Sequence, residues 1–228
     1  MSDIARAREQ TAPEPLTPAR AALAAAAREL AATGVAPSTA GNLSVREGDL
    51  VAITGGGVQL SAMTPERCVV VDLDGEQVAG AGRPSSETQL HLAAGAATGA
   101  AAVVHSHAPF ATTLAATLSG ELPVVHYSMH AFGGPVRIAP YERFGTGALA
   151  ESVRAALQDR SGALMANHGA VVVAPTLAEA VEKMVLLEWM CEVTWRALLL
   201  GSPRLIEGDE LDAVGARSRA LRYGRADA

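Results

Sequence analysis

Three histidines and one glutamate stand in patterns that could do chemistry. His105-Ser106-His107 ends the apolar run AAVVHSH, which reads as a strand. A strand's period of two sends both imidazoles to one face, where two nitrogens can converge on one cation. His168 lies in Ala166-Asn167-His168-Gly169, between two apolar runs, at a tight turn able to aim a side chain inward. Three neutral imidazoles would leave coordination positions open for water or substrate oxygens, as in a catalytic rather than a structural zinc site. Ala108, Pro109 and Phe110 follow the second histidine and supply no further ligand, which speaks against a metallohydrolase. Taken singly, each of these histidines has an ordinary structural reading as a hydrogen-bonded strand or turn residue.

Glu87 follows Ser85-Ser86 at the start of a helical pattern. A carboxylate beside imidazoles and a cation can exchange a proton; alone, it would simply complement the helix dipole. Ser85 and Ser86 offer hydroxyls and free N–H groups at the same helix start, an arrangement that stabilises an anion such as phosphate. Gly41-Asn42 and Thr54-Gly55-Gly56-Gly57 could add backbone donors, because glycines let a chain curl its N–H groups around an anion.

The elements that must position these groups are mixed. TPARAALAAAARELAAT, from Thr17 to Thr33, has a threonine for an N-cap, Pro18 in the first turn and Gly34 as its stop, and predicts a helix. GNLSVREGDLVAIT predicts a hairpin about Glu47-Gly48-Asp49. CVVVDLDGEQV reads as a strand broken at Asp74-Gly75, and ETQLHLAAGAATG as a helix opened by a capping box of Ser86 with Gln89. A helix ending at Gly120 and a strand pair turning near Asn167 and Gly169 follow. Strands and helices do not alternate strictly, so the pattern points to a layered α/β/α domain with a mixed, largely antiparallel sheet rather than a doubly wound one.

The chain of 228 residues suffices for one domain, taken as 1–228, with residues 1–16 expected to form a mobile arm. A net charge of −6 and one lysine, Lys183, leave no basic stripe for a phosphate backbone, so nucleic acid is excluded as a partner. Leu177 to Leu200 is apolar but carries Glu179, Glu182, Lys183, Glu188, Glu192 and Arg196, which makes it an amphipathic helix and not a bilayer span. No secretory leader is read at the N-terminus, and Cys68 and Cys191 form no Cys-x-x-Cys pair; a reducing cytoplasm is expected.

The ordered series GNLSVR (41–46), ITGGGV (53–58), RPSSETQLH (83–91), VVHSH (103–107), VVHYSMHAFGG (124–134), APYERFGT (139–146) and ANHGAVV (166–172) resembles the class II aldolase/adducin family. The resemblance runs from about Leu23 to Tyr223 and rests on the order of the motifs. It implies a three-layer α/β/α sandwich assembled as a homotetramer with shared active sites. It also implies zinc, or another divalent first-row metal, on His105, His107 and His168, with Glu87 as acid/base. Asn42, Thr54, Gly57, Ser85 and Ser86 would form a phosphate pocket, and Tyr127 and Tyr223 would handle the aldehyde portion. The implied reaction cleaves a ketose phosphate, such as L-fuculose 1-phosphate, to dihydroxyacetone phosphate and an aldehyde through a metal-stabilised enediolate. Decarboxylases, dehydratases and epimerases use the same chemistry within this superfamily, and a non-catalytic adducin-like scaffold is the reading from another class; the intact histidines and Glu87 oppose the scaffold. Three departures bear on the substrate. Gly56 stands where phosphate-using members carry a hydroxyl, His130 where a small or apolar residue is expected, and Ala220 where an aromatic often precedes the last tyrosine.

Overall fold

A computed structural model describes residues 15–221. Tyr223 and the expected arm, apart from Pro15 and Leu16, lie outside the described residues. Helix α1 (Thr17–Ala32) begins at Thr17 itself, so the expected cap is displaced to Leu16, while Pro18 occupies the first turn as anticipated. Leu23, Ala27 and Leu30 recur at helical spacing and are fully buried.

Strands β1 (Asn42–Glu47) and β2 (Leu50–Thr54) form the expected hairpin, closed by Gly48-Asp49 with Gly48 in the left-handed region. β3 (Cys68–Asp72) and β4 (Gln77–Ala79) are separated at Asp74-Gly75, where the Asp72 carboxylate accepts from the N–H groups of Asp74 and Glu76. Then come α2 (Thr88–Thr98), β5 (Ala102–Ser106), α3 (Pro109–Thr117) and β6 (Gly120–Glu121). They are followed by β7 (Arg137–Ala139), α4 (Gly147–Ala156), β8 (Gly162–Met165), β9 (Gly169–Ala174), α5 (Leu177–Leu200) and α6 (Gly208–Ala220).

The nine strands make one sheet in the order β4-β3-β2-β1-β5-β9-β8-β7-β6. Among the described residues only the β7–β8 pair is parallel, so the sheet is mixed and largely antiparallel, as expected. Alternation along β5 and β9 divides the core. Ala102, Val104, Ala170 and Val172 pack with α1, α3 and α5 on one face. Val103, Val171 and Val173 pack with Leu90 of α2 and Leu149 and Val153 of α4 on the other. Each such leucine or valine stabilises the sandwich by roughly 1.5–3 kcal/mol when fully buried. His105 shares the parity of Val103 and therefore faces α2. No helix among the described residues is long and apolar enough to cross a membrane.

Candidate active site and metal centre

β5 lies between β1 and β9, and its register sets the site. Asn42 is paired with His105 across the β1–β5 ladder, and Val171 with His105 across β5–β9. His168 sits in the β8–β9 turn, where Asn167 adopts a positive φ of 55°. Gly169 must be glycine, since a Cβ there would stand 2.4 Å from the Ser106 carbonyl oxygen. Glu87 arrives from the far side of the chain at the N-terminus of α2. It occupies the cap position itself, and the expected Ser86–Gln89 capping box does not form. Instead the Ser85 hydroxyl accepts from the Glu87 N–H at 3.2 Å, and the Ser85 carbonyl accepts from the Thr88 hydroxyl.

One ligand atom from each of Glu87, His105, His107 and His168 can be chosen so that all lie within 4.8 Å of one another. His105 Nδ1 donates to the Ala170 carbonyl at 2.9 Å, leaving the Nε2 lone pair aimed into the cluster. That nitrogen lies 3.1 Å from His107 Nε2 and 3.1 Å from Glu87 Oε2. His168 Nε2 stands 3.3 Å from Glu87 Oε1, yet Oε1 is buried with no hydrogen-bond partner. Converging lone pairs beside an unsatisfied carboxylate oxygen are what a divalent cation would resolve, and these spacings approach the tetrahedral edge of roughly 3.3 Å implied by zinc–nitrogen bonds of about 2.0–2.1 Å. The donor set therefore fits a first-row divalent metal, with Glu87 close enough to serve as a fourth ligand or a base.

Electrostatics favour neutral imidazoles at His107 and His168. Burial first, then the charge of neighbouring His105, pushes His107 down to about 4, and the same two causes lower His168. For Glu87, burial alone would raise the carboxyl, but the hydrogen bond and charge of His105, the Asn42 amide and His168 together hold it below the ordinary carboxylate range.

The cluster opens into a cavity of about 430 Å³. Asn42, Gly57, Ser85 and Ser86 line it, together with Glu87, His107 and His168. Thr54 does not; its buried hydroxyl accepts from the Leu43 N–H at 3.1 Å. Of the three consecutive glycines, Gly55 and Gly56 donate to the Arg67 and Arg83 carbonyls, which leaves the Gly57 N–H without a backbone partner. A Cβ on Gly56 would lie 3.0 Å from the Pro84 carbonyl oxygen, so the missing hydroxyl there reflects the close approach of the 83–85 segment. No lysine or arginine among the described residues lines the cavity. Sequence reasoning gave no role to Ser38, Tyr141, Glu142 and Phe144, which come to the rim from loops, the last three within the APYERFGT segment.

Tyr127 is placed elsewhere. It is 53% exposed, stacks on His126 at 4.4 Å, and lines a separate groove with His130, Leu186 and Arg217. Lys183 is remote too, donating to the Ser161 hydroxyl at 2.8 Å in a different pocket. Glu188 of α5, read in the sequence only as a charge on an amphipathic helix, is buried and accepts from the Phe110 and Ala111 N–H groups at 2.8 Å each. It thereby fixes the start of α3, just after His107.

Comparison with known proteins agrees with this architecture. The class II aldolase and adducin N-terminal domain matches residues 21–195. The 5-methylthioribulose-1-phosphate/5-deoxyribulose-1-phosphate aldolase of Rhodospirillum rubrum is 39% identical over 193 residues, 83% of this chain and 86% of its own. The 5-deoxy-D-ribulose 1-phosphate aldolase of Bacillus thuringiensis is 36% identical over 202 residues, 87% of this chain and 94% of its own. Among solved structures, an L-fuculose 1-phosphate aldolase superposes with a TM-score of 0.84 at 30% identity, covering 89% of this chain and 96% of that one. The chain belongs to the class II aldolase and adducin family and is an aldolase-type lyase within it.

Proposed function

We propose that the chain cleaves a ketose 1-phosphate of the 5-deoxyribulose or 5-methylthioribulose kind, giving dihydroxyacetone phosphate and a short aldehyde without a terminal hydroxyl. The observation that carries the reaction is the Glu87–His105–His107–His168 cluster at the edge of a cavity that also holds uncommitted anion donors. The substrate class is supported by the relatives at 39% and 36% identity, which are named for it. L-Fuculose 1-phosphate, named for the solved neighbour at 30%, is the comparison substrate.

His105, His107 and His168 would hold the divalent cation, zinc by the imidazole-rich donor set, with other first-row ions acceptable to the same nitrogens. When bound, such a cation supplies Lewis-acid polarisation of the substrate's carbonyl and adjacent hydroxyl oxygens. Breaking C3–C4 leaves the electron pair on C3, and Glu87 handles the proton there through Oε1, the oxygen with no hydrogen-bond partner. The C4 hydroxyl would pass its proton to an aldehyde-side tyrosine, Tyr127 or Tyr223, as its oxygen becomes the aldehyde carbonyl. The Gly57 N–H, the Ser85 and Ser86 hydroxyls and the second N–H of Asn42 hold the phosphate as neutral donors. Thr54 drops out of this set because its hydroxyl serves Leu43. An imine route lacks its lysine: Lys183 does not line the cavity.

Tyr127 we assign to the cavity of a neighbouring copy in a homotetramer, since in its own chain it lies exposed in another groove. Tyr223 keeps its aldehyde-side role as an expectation of the resemblance. The free, buried thiols of Cys68 and Cys191 support a reducing cytoplasm.

The test supplies metal-loaded protein with 5-deoxyribulose 1-phosphate and, separately, L-fuculose 1-phosphate, and follows dihydroxyacetone phosphate through a coupled reduction. The deoxy sugar should be cleaved with the higher kcat/KM. Glu87→Gln should lower kcat by about 10²-fold or more, and chelation should abolish release until zinc is returned. Preference for L-fuculose 1-phosphate would overturn the substrate class, and no release from either would sink the reading.

A further inference from the structure

A line of buried hydrogen bonds continues outward from Glu87 Oε2, the carboxylate oxygen that also lies beside His105. Ser44 Oγ lies 2.7 Å from His91 Nδ1, His91 Nε2 is hydrogen-bonded to Asn42 Oδ1, and Asn42 Nδ2 donates to Glu87 Oε2 at 2.8 Å. All four side chains belong to buried residues. Their alignment follows from the elements. His91 is one helical turn beyond Glu87 on α2, so the two share a face. Asn42 and Ser44 alternate on β1 and therefore point to the same side of the sheet, toward that helix.

The polarity of the line has one consistent solution. An ionised Glu87 only accepts, so Asn42 turns its Nδ2 to it and its Oδ1 to His91. His91 Nε2 must then carry the hydrogen. In a neutral ring Nδ1 then accepts, and the Ser44 hydroxyl donates to it. That arrangement requires a neutral ring, and burial, followed by the charge of His105, keeps His91 down at about 3. The line cannot serve as a proton wire, because Asn42 could pass a proton only by becoming an imidic acid. It can orient. An Asn42 amide free to turn over would bring Oδ1 against the carboxylate, lone pair to lone pair.

We propose that His91 is a positioning residue for Glu87: its Nε2–H, with the Ser44 hydroxyl on Nδ1, locks the Asn42 amide with its N–H toward Glu87. Oε2 is thereby held between Asn42 and His105, and Oε1, beside His168 and without a hydrogen-bond partner, is left to face the reacting carbon. This rests on Glu87 being the acid/base of the proposed reaction.

The test uses the full-length, metal-loaded enzyme with two substitutions. His91→Gln keeps an N–H donor near the Nε2 position, and His91→Leu removes it. The leucine variant should lose about 10- to 100-fold in kcat, the usual cost of removing a group that orients a reacting or ligating one, with metal content little changed and KM raised only by the loss of the one Asn42 contact to phosphate. The glutamine variant should recover most of that loss. In an Asn42→Ala background His91→Leu should cost nothing further, because its effect passes through Asn42. Equal loss in both His91 variants, or additive loss in the double variant, would overturn the proposal. The ring nitrogen-15 resonances of His91 read the orientation without any substrate. A neutral, Nε2-protonated ring is expected, and an Nδ1–H tautomer or an imidazolium at neutral pH would reject the positioning line. The expected tautomer in an enzyme inert toward both ketose phosphates would support the positioning line and count against the substrate.

Discussion

Burial pulls Glu87 against its neighbours, whereas for His91 burial and the charge of His105 act together and outweigh the opposing charge of Glu87, and the difference shows in how the protein responds to acid. The buried His91 ring takes up its proton only at about 3, against an ordinary 6.5. As pH falls below 6.5 the unfolded chain binds a proton that the folded chain refuses, so stability is complete above 6.5 and is lost progressively down to about 3. At pH 5 the loss from this group alone should be about 2 kcal/mol relative to neutral pH. Urea unfolding at pH 7 and pH 5 should show at least that drop in the wild type and a smaller one in His91→Gln; equal drops would remove His91 as the source. At this scale the sequence disclosed the residues whose chemistry is unusual in its spacing. His105, His107, His168 and Glu87 are brought together as the motifs implied. His91 and Glu188 were hidden because a lone histidine or glutamate in a helix has no signature until its partner on another element is known. Thr54 misled for the same reason: its motif names a hydroxyl, but only the fold shows that Leu43 has claimed it.

At the level of elements, the site depends on β1, β5 and β9 staying in register, and small residues enforce it. Gly169→Ala would place a methyl 2.4 Å from the Ser106 carbonyl oxygen, between β5, which carries His105, and β9, which starts just after His168. Such backbone conflict belongs to the severe class of substitutions, about 3 kcal/mol or more, and it should also weaken metal binding. Gly95→Ala in α2 provides the contrast, since its Cβ would meet only the Ala100 carbonyl oxygen at an ordinary 3.6 Å. It should raise stability by about 0.4–1 kcal/mol. Thermal melts and metal titrations of the two variants check both statements, and an unharmed Gly169→Ala protein would refute the packing argument. Element types were legible from periodicity, from the hairpin at Gly48-Asp49 to the long helix α5. Helix starts were less so. Thr17 lies inside α1 rather than capping it, and Ser86 with Gln89 does not form a capping box. Local propensity names several residues able to cap; loop packing chooses among them.

For the whole molecule, the layered class followed from irregular alternation of strands and helices, but the order of the nine strands did not. Pairing β1 with β5 and β5 with β9 joins segments far apart in the chain, and no short-range pattern announces it. The surface poses its own question. His126, Tyr127 and Trp189 form an aromatic cluster, with His126 4.9 Å from Trp189, and both Tyr127 and Trp189 are well exposed. Exposed aromatic groups of this kind mark association faces. Light scattering should give about four times the 23.3 kDa chain mass, and Tyr127→Asp should shift it toward smaller species. A monomeric wild type would remove the shared-site assignment. The dispersed origin of the ligands has a further effect on how the chain reaches and leaves its native state. An unfolded chain offers a cation only the adjacent His105 and His107, while His168 and Glu87 join them once the central strands have paired. A metal bound there would therefore recognise a finished fold and lengthen its lifetime by slowing unfolding, while doing little to hasten the search that produces it.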